Sequence, residues 1–400
     1  MTVSNQTSDD PAAGLLLVLN AGSSSLKFAV FSISAKLIRT TTGNIDRIGS
    51  AKASFTLTKI DSQQTERVEI STPDHIAGLE HLLEHLSKTN PKASFNAVGH
   101  RVVHGGPRYE KPQRVDNAML TELRRIRAFD PEHLPAEIAL MECLAAKLPG
   151  TPQIACFDTA FHSAMPRVAK LLPIPRRYEA KGVRRYGFHG LSYEYLMTQP
   201  GMNGRVIFAH LGNGASLAAV RDGQPVDTSM AFTPAAGLPM STRSGDLDPG
   251  LVGFLAQTEQ MTANQFHRLV NHESGLLGIS ETSSDMRDLL AREANDQRAA
   301  DAVALFCYQV KKWIGAFAAA LGGLDTLTFT GGIGENAPAI RARICEGLGF
   351  LGIELDRQPN AANAEVISKS GSRVSVRVIR TDEELIMAKS VCRFLKGKVS

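Results

Sequence analysis

Asn20, Gly22, three consecutive hydroxyls at Ser23, Ser24 and Ser25, and Lys27 lie between and just inside two apolar runs, residues 15–19 and 26–31. Small residues let backbone N–H groups approach an anion, hydroxyls add donors, and an Asn oxygen can face a cation or its water shell. The chemistry suggested is a triphosphate with its metal. A Ser-rich surface turn has the same composition, so the stretch alone leaves both readings open. In GHRVVHGG, residues 99–106, Arg101 falls inside a short apolar strand and His104 at its mouth. An Arg within a strand is costly unless it faces a cleft holding an anion; the alternative is a snorkelling Arg on an edge strand. His100 and His104 have zinc-like spacing but no HExxH glutamate and no helix, which argues against a metal there.

Further along, the apolar part of PQIACFDTAFH, residues 152–162, reads as a central strand that delivers Asp158 and His162 to its C-terminal end, where open α/β sheets hold ligands. RRYGFHG presents His189 on a glycine-flanked loop, which by itself is as well read as structural. The loop of residues 227–250 is too rich in Gly, Pro, Ser and Thr for a regular element and carries Arg243 between hydroxyls and Asp246; long ordered loops are usually functional. In LDTLTFTGGIGENAPAIR a buried strand, a glycine turn and a helix starting near Asn336 make a place for a nucleotide's phosphate or ribose. Glu383 and Glu384 open a closing helix, where the macrodipole favours acids in any case.

The elements that must hold these residues repeat. Residues 205–222, RVIFAHLGNGASLAAVRD, again run apolar strand, small-residue turn, apolar strand, about 190 residues after the first copy. The turn is one residue shorter, and two copies of one hairpin predict a duplicated domain. Around them the spacing predicts strands at 53–60, 67–70, 97–106 and 375–379 and helices at 74–87, 117–129, 134–147, 263–270, 285–293 and 296–321, the last containing Trp313. This is α/β traffic, and 400 residues make two domains the default.

The bulk numbers narrow the class. With 43% hydrophobic and 21% charged residues the composition is that of a globular protein, and a net charge of +4 without a Lys/Arg block fits anionic small molecules better than nucleic acid. Cys143, Cys156, Cys307, Cys345 and Cys392 form no CxxC pair, so they are expected reduced and buried rather than in disulfides or a zinc site. Residues 1–14 have neither a basic n-region nor an apolar h-region and are expected to be disordered; no apolar run reaches the roughly 18 residues of a membrane span. A cytoplasmic location follows as an expectation.

Taken in order, NAGSSSLKF, GHRVVHGG, FDTAFH, RYGFHGLSYEY, HLGNGAS, TRSGDLDPG, GLLGIS with SSDMR, FTGGIGEN and TDEEL resemble the acetate kinase family over about residues 14–395. There is no GxxxxGK[ST] and no HRD or DFG set, which closes the P-loop and protein-kinase routes. The resemblance implies two duplicated actin-like, ribonuclease-H-like βββαβαβα domains with an active-site cleft between them: residues 14–160, with a closing helix 384–397 packing back, and residues 161–383 carrying the nucleotide site. It implies ATP-dependent, reversible, in-line transfer of the γ-phosphoryl group to acetate, giving acetyl phosphate and ADP, with Mg²⁺, for which Mn²⁺ can substitute. It also implies a homodimer with no nucleic-acid or membrane partner. Asn20 and Glu383 would hold the metal. Lys27, His210, Leu211, Gly212, Asn213, Gly214, Asp285, Met286, Arg287, Gly331, Gly332, Ile333, Gly334, Glu335 and Asn336 would bind the nucleotide. Arg101 would take the acceptor carboxylate, with Val103, Phe188 and Pro234 walling its methyl group. His189 and Arg243 would steady the migrating phosphoryl group, and Asp158 would be catalytic.

Two alternatives share these motifs: a propionate or other short-chain acyl kinase, and a nucleotide-gated binding protein of the Hsp70 or actin type. The second would need an appended peptide-binding domain, for which the sequence after about residue 395 has no room. Two departures bear on the first. The chain reads PEHLP at 131–135 where the family reads close to PLHNP, and PAAGLPMSTR at 234–243 where it reads close to PLEGLMMGTR. The first puts Glu132 where an apolar pocket residue is expected, turned outward or paired with a base such as His133. The second loosens the loop beside the acyl pocket at Ala235 and Ala236.

Overall fold

The computed structural model describes residues 14–34, 36–50, 52–89 and 94–397. The expected disorder before Gly14 falls outside the described residues. The chain forms two compact units, one of residues up to Ala160 together with Glu383 onward, the other Phe161–Asp382. Glu383 therefore belongs with the first unit, not with the second as its position in sequence implied.

In the first unit β1 (Gly14–Ala21), β2 (Ser25–Ile33), β3 (Leu37–Asp46), β4 (Ala53–Lys59), β5 (Thr65–Ile70), β6 (Phe95–Val102), β7 (Gln113–Arg114) and β8 (Gln153–Phe157) build one sheet in the order β5-β4-β3-β2-β1-β6-β8-β7. In the second, β9 (Arg205–Leu211), β10 (Ala215–Arg221), β11 (Gln224–Thr228), β12 (Thr326–Thr330) and β13 (Ser375–Val378) give β11-β10-β9-β12-β13. Stripped of β4, β5 and β7, the first order is β3-β2-β1-β6-β8. Both are an antiparallel meander of three strands followed by two parallel ones. The duplication inferred from two hairpins thus extends to the whole sheet.

Burial follows position in the sheet. The residues of β8 and β12 are buried throughout, and β12, which lies between the parallel strands β9 and β13, buries its threonines as well as Leu327 and Phe329. Edge strand β5 is almost wholly exposed and carries three charged residues among its six, Glu66, Arg67 and Glu69. One buried core lies under β1, β2 and the helix His75–Thr89 and contains Leu17, Leu19, Phe28, Phe55 and Leu79.

The parallel strands put their carboxyl ends on one edge of each sheet. In the first unit β1, β6 and β8 deliver Asn20, Arg101 and, one residue past the strand, Asp158. In the second β9 and β12 deliver His210 and Thr330, which are register partners. Ligands bind at the carboxyl edge of such sheets because the chain there leaves for loops and helices and exposes unpaired backbone.

Several local expectations shift. Asn20 is not in the turn but in β1, paired directly with Lys27 of β2, so the two side chains share a face. Counted by register, four residues separate Ala21 from Leu26 and three separate Leu211 from Ala215, which preserves the one-residue difference. The helix at 117–129 stops at Arg125 and continues as a 3₁₀ turn, Arg127–Phe129. The helix expected near Asn336 is present as Pro338–Cys345, but the GGIGEN segment ahead of it is not a turn; it is itself a helix, Gly331–Asn336, entered directly from β12. Gly331 has φ +77°, and a Cβ there would lie 2.7 Å from the Leu211 carbonyl oxygen, so only glycine makes this entry cheaply. Glu335 accepts the Gly331 N–H at 3.0 Å and the Thr330 hydroxyl at 3.3 Å, capping the helix from within.

Next to Arg101, His100 is 3% exposed and donates from Nε2 to Gln153 Oε1 at 2.7 Å, while Gln153 donates to the Met141 carbonyl. Burial pushes its pKa down to about 4, the Gln153 hydrogen bond opposing. Unfolding restores a value near 6.5, so the unfolded chain takes up the proton first as the pH falls. Stability from this site is therefore whole above about pH 6.5 and is lost as the pH falls toward 4, with about 2 kcal/mol gone between pH 7 and pH 5. Urea unfolding at the two pH values should show a loss in the native chain that is smaller by about that amount in His100→Gln; equal losses in the two proteins would contradict the assignment.

Candidate active site

In the first unit the side chains at the sheet's carboxyl edge form one hydrogen-bonded network. Arg101 donates from Nε and Nη2 to Asp158 Oδ2, at 3.1 and 2.5 Å, and from Nη1 to Asn20 Oδ1 at 3.1 Å. Asn20 in turn donates from Nδ2 to Glu383 Oε2 at 2.9 Å, across 363 residues of sequence. Asp158 is fully buried and Asn20 is 6% exposed. Arg101 thus faces carboxylates at the edge of the site, and the reading of a snorkelling surface Arg is excluded. Three of its five N–H groups are used, which leaves one on each terminal nitrogen for a ligand.

The charges in this network are unequal to one another's needs. Burial by itself would lower the pKa of Arg101, but the charges of Asp158 and Glu383 outweigh that and hold it firmly protonated. Burial pushes the Glu383 carboxyl up; Arg101 draws it back down and Asp158 pushes it further up. Asp158 Oδ1 is buried with no hydrogen-bond partner. An unsatisfied buried carboxylate oxygen and a destabilised carboxyl in one network would suit a cation, and carboxylate and amide oxygens are the donor type Mg²⁺ selects. Lys27 is exposed on the Asn20 face and its charge is felt by Glu383. Of the residues assigned to the nucleotide, it alone lies in the first unit.

The second unit brings His189, His210, Gly214 and Arg243 together. His189 takes a left-handed backbone, φ +57°, ahead of the helix Gly190–Met197. Its Nδ1 is hydrogen-bonded to Ser216 Oγ at 2.8 Å, and Ser216 also meets the Tyr193 hydroxyl at 2.5 Å. The His189 and His210 rings stack, centroids 4.2 Å apart and planes 14° from parallel, and His210 Nδ1 is fixed by Ser192 Oγ at 2.9 Å. A Cβ placed on Gly214 would lie 3.1 Å from His189 Nε2 and 3.6 Å from Arg243 Nη1, so the missing side chain lets both side chains close over that backbone. Ser192 and Tyr193, which hold His210 and Ser216, were not singled out from the sequence; their signal was two hydroxyl-bearing residues in the first helical turn after His189.

Arg243 is carried by a firmly tied loop. It donates to the Pro234 carbonyl at 3.3 Å, while Met240 N–H is bonded to the Arg243 carbonyl and Gly237 N–H to Asp246 Oδ1. Ser241 N–H reaches the Asn213 carbonyl, joining this loop to the β9–β10 turn. Asn213 and Gly212 are therefore held from both sides, since a Cβ on Gly212 would lie 3.7 Å from the Gly332 nitrogen. Leu211 is buried in β9.

Other assigned residues are placed less directly. Asp285 caps the helix Met286–Arg292, accepting the Arg287 N–H at 2.9 Å, and pairs with the Arg287 guanidinium at 2.5 Å; Met286 is buried. Within Gly331–Asn336, Glu335 is spent on the helix N-terminus and Asn336 donates to the Gly332 carbonyl; Gly332 is exposed, Ile333 half-buried and Gly334 buried. Val103, Phe188 and Pro234 are buried. His133 is bonded through Nδ1 to Asp130 at 2.9 Å, so the base suggested as partner for Glu132 is already engaged, and Glu132 is half-buried. Cys156, Cys307 and Cys345 are buried as expected, Cys143 and Cys392 only partly, and all five are free thiols.

Comparison with known proteins gives the family. The Acetokinase family model matches residues 15–389. An acetate kinase of Bacteroides fragilis is 43% identical, with 95% of this chain and 99% of the relative covered. A propionate kinase of Citrobacter rodentium is 41% identical, covering 94% and 96%. The crystal structure of Porphyromonas gingivalis acetate kinase superposes with a TM-score of 0.84 at 36% identity over 96% of this chain and all of that one. The duplicated sheets, the Arg101–Asp158 network and the paired histidines are thus those of a chain that belongs to the acetokinase family.

Proposed function

We propose that the protein transfers the γ-phosphoryl group of ATP to acetate, reversibly and in line, giving acetyl phosphate and ADP. The observation that carries this reading is Arg101, a buried guanidinium held by Asp158 and Asn20 with two N–H groups left over. A planar fork of that kind meets a carboxylate bidentately. Family membership supplies the reaction class, and both acetate and propionate kinases stand among the relatives.

The acceptor is ionised at pH 7, its pKa lying at about 4 to 5, so no general base is needed. Asp158 is accordingly a positioning residue: the ionised acceptor has no proton to give up, and the Asp158 carboxylate holds the Arg101 guanidinium through Oδ2. Phosphoryl transfer spreads negative charge over the migrating group, and fixed cations and dipoles stabilise that charge. His189 and Arg243, converging over Gly214, suit that task, and His210 and the backbone of residues 211–214 and 331–334 suit the nucleotide's phosphates and adenosine end. Asn20 and Glu383, joined by a hydrogen bond, would hold Mg²⁺, which neutralises phosphate charge when bound. Val103, Phe188 and Pro234 suit the walls around the methyl group. The propionate reading keeps every one of these roles.

Free thiols suit a reducing cytoplasm, and among the described residues no helix is long and apolar enough to cross a membrane. The helix Gly250–Thr258 buries none of its residues and exposes Leu251, Val252 and Phe254, a surface suited to a second copy of the chain.

The direct test is ADP release in the presence of ATP and Mg²⁺, with and without acetate or propionate. Release at least about a hundredfold faster with a carboxylate is expected; carboxylate-independent hydrolysis would favour a nucleotide-gated binding protein. Removing a group on the metal side should raise the Mg²⁺ concentration needed for half-maximal rate by about tenfold in Glu383→Ala and by less in Asn20→Ala, since one contact is worth about 1.4 kcal/mol. Unchanged Mg²⁺ dependence in both variants would remove the metal assignment.

A further inference from the structure

Glu137 is buried, 2% exposed, in the first turn of the helix Leu134–Lys147, and both of its carboxylate oxygens accept one backbone N–H, that of Val103, at 3.1 and 3.2 Å. Val103 is the first residue beyond β6, where the ladder to β8 ends at Val102 and Phe157. A strand exit needs an acceptor for its next N–H, but an amide or a hydroxyl would serve. Thr159 does this for Gly105 two residues on, accepting its N–H at 3.1 Å. Burying a carboxyl group for the same purpose is expensive. Desolvation and the charge of Asp130 push the Glu137 carboxyl well above the ordinary range, with Arg101 and the Val103 N–H opposing and Asp158 adding to the rise.

Val103 follows Arg101 by two residues, in the bend by which the chain leaves β6, and is itself buried. Arg101 is fixed by Asp158, from β8, and Val103 by Glu137, from the helix Leu134–Lys147. The polar end and the apolar end of one small ligand are therefore set by separate anchors. We infer that Glu137 is a positioning residue whose grip on the Val103 backbone sets the depth of the apolar side of the acceptor site, and hence which short acyl chains are accepted. This rests on Arg101 being the partner of the acceptor carboxylate.

A methylene gained or lost in an apolar pocket changes discrimination by roughly 10- to 200-fold at the most, and a displaced wall should change it by a part of that. Steady-state kinetics with acetate and propionate at saturating ATP, beside thermal unfolding, are the measurements. Glu137→Leu should raise the KM for acetate by about tenfold, leave the KM for ATP within about twofold, and shift the propionate-to-acetate ratio of kcat/KM by at least about threefold. Glu137→Gln keeps an acceptor oxygen and should restore the native ratio. A lowered Tm in Glu137→Leu with the ratio unchanged would overturn the inference, leaving Glu137 a structural residue only. Should Glu137→Leu fail to fold, Glu137→Asp draws the carboxylate back by one methylene; a ratio shifted by about threefold is then expected, and an unchanged ratio overturns the inference. Failure of the native protein to use either carboxylate removes the acceptor reading itself, and is seen before any variant is made.

Discussion

The buried pairing of Arg101 with Asp158 is the constraint on which the first unit's site depends. A guanidinium taken out of water is stabilised only if its partners are fixed and well aligned, and removing one partner of such a pair typically costs about 3 to 5 kcal/mol. Here the partners come from three chain segments: Asp158 from the end of β8, Asn20 from the end of β1, and, through Asn20, Glu383 from the helix Glu383–Leu395. Each is brought to the network by a strand or helix whose apolar residues are buried, so the hydrophobic core and the polar site are made by the same elements. Leu16 to Leu19 in β1 and Ile154 to Phe157 in β8 are at most 1% exposed, one residue away from the charges they carry.

The duplication explains how two different chemistries arise from one plan. Both sheets run three antiparallel strands and then two parallel ones, and both present the carboxyl ends of the parallel strands. In the first unit that edge carries an Arg, an Asn and two acids; in the second it carries a stacked histidine pair anchored by Ser192, Ser216 and Tyr193. The hairpin turn differs by a single residue between the copies, yet in the second the glycines admit His189 and Arg243 to the backbone, while in the first Asn20 is drawn back into the strand opposite Lys27.

Much of this was legible in the sequence where a residue's role is written in its own neighbourhood. Arg101 in an apolar strand, Asp158 at the end of another and His189 between glycines are local conflicts, and each resolves at the site. What was illegible depended on distant or internal partners. No residue near Glu383 announces Asn20, and locally the macrodipole explains it; only the family resemblance put the two together, and the direct hydrogen bond between them was not legible. The helical conformation of Gly331–Asn336 depends on Glu335 folding back on its own N-terminus, against the ordinary meaning of three glycines in a row of six. Glu137 reads as the polar face of an amphipathic helix, because its true partner is a backbone N–H that no sequence pattern marks.

The central claim is that Asp158 acts through Arg101 rather than on substrate, and a double-mutant cycle measures it most directly. Values of kcat/KM for acetate are compared in the native protein, Arg101→Ala, Asp158→Ala and the double variant. If Asp158 serves to hold Arg101, its removal in the Arg101→Ala background costs little, and the two losses overlap by at least about 2 kcal/mol, a factor of about 30. Losses that simply multiply would show that the two side chains act independently and would contradict the account.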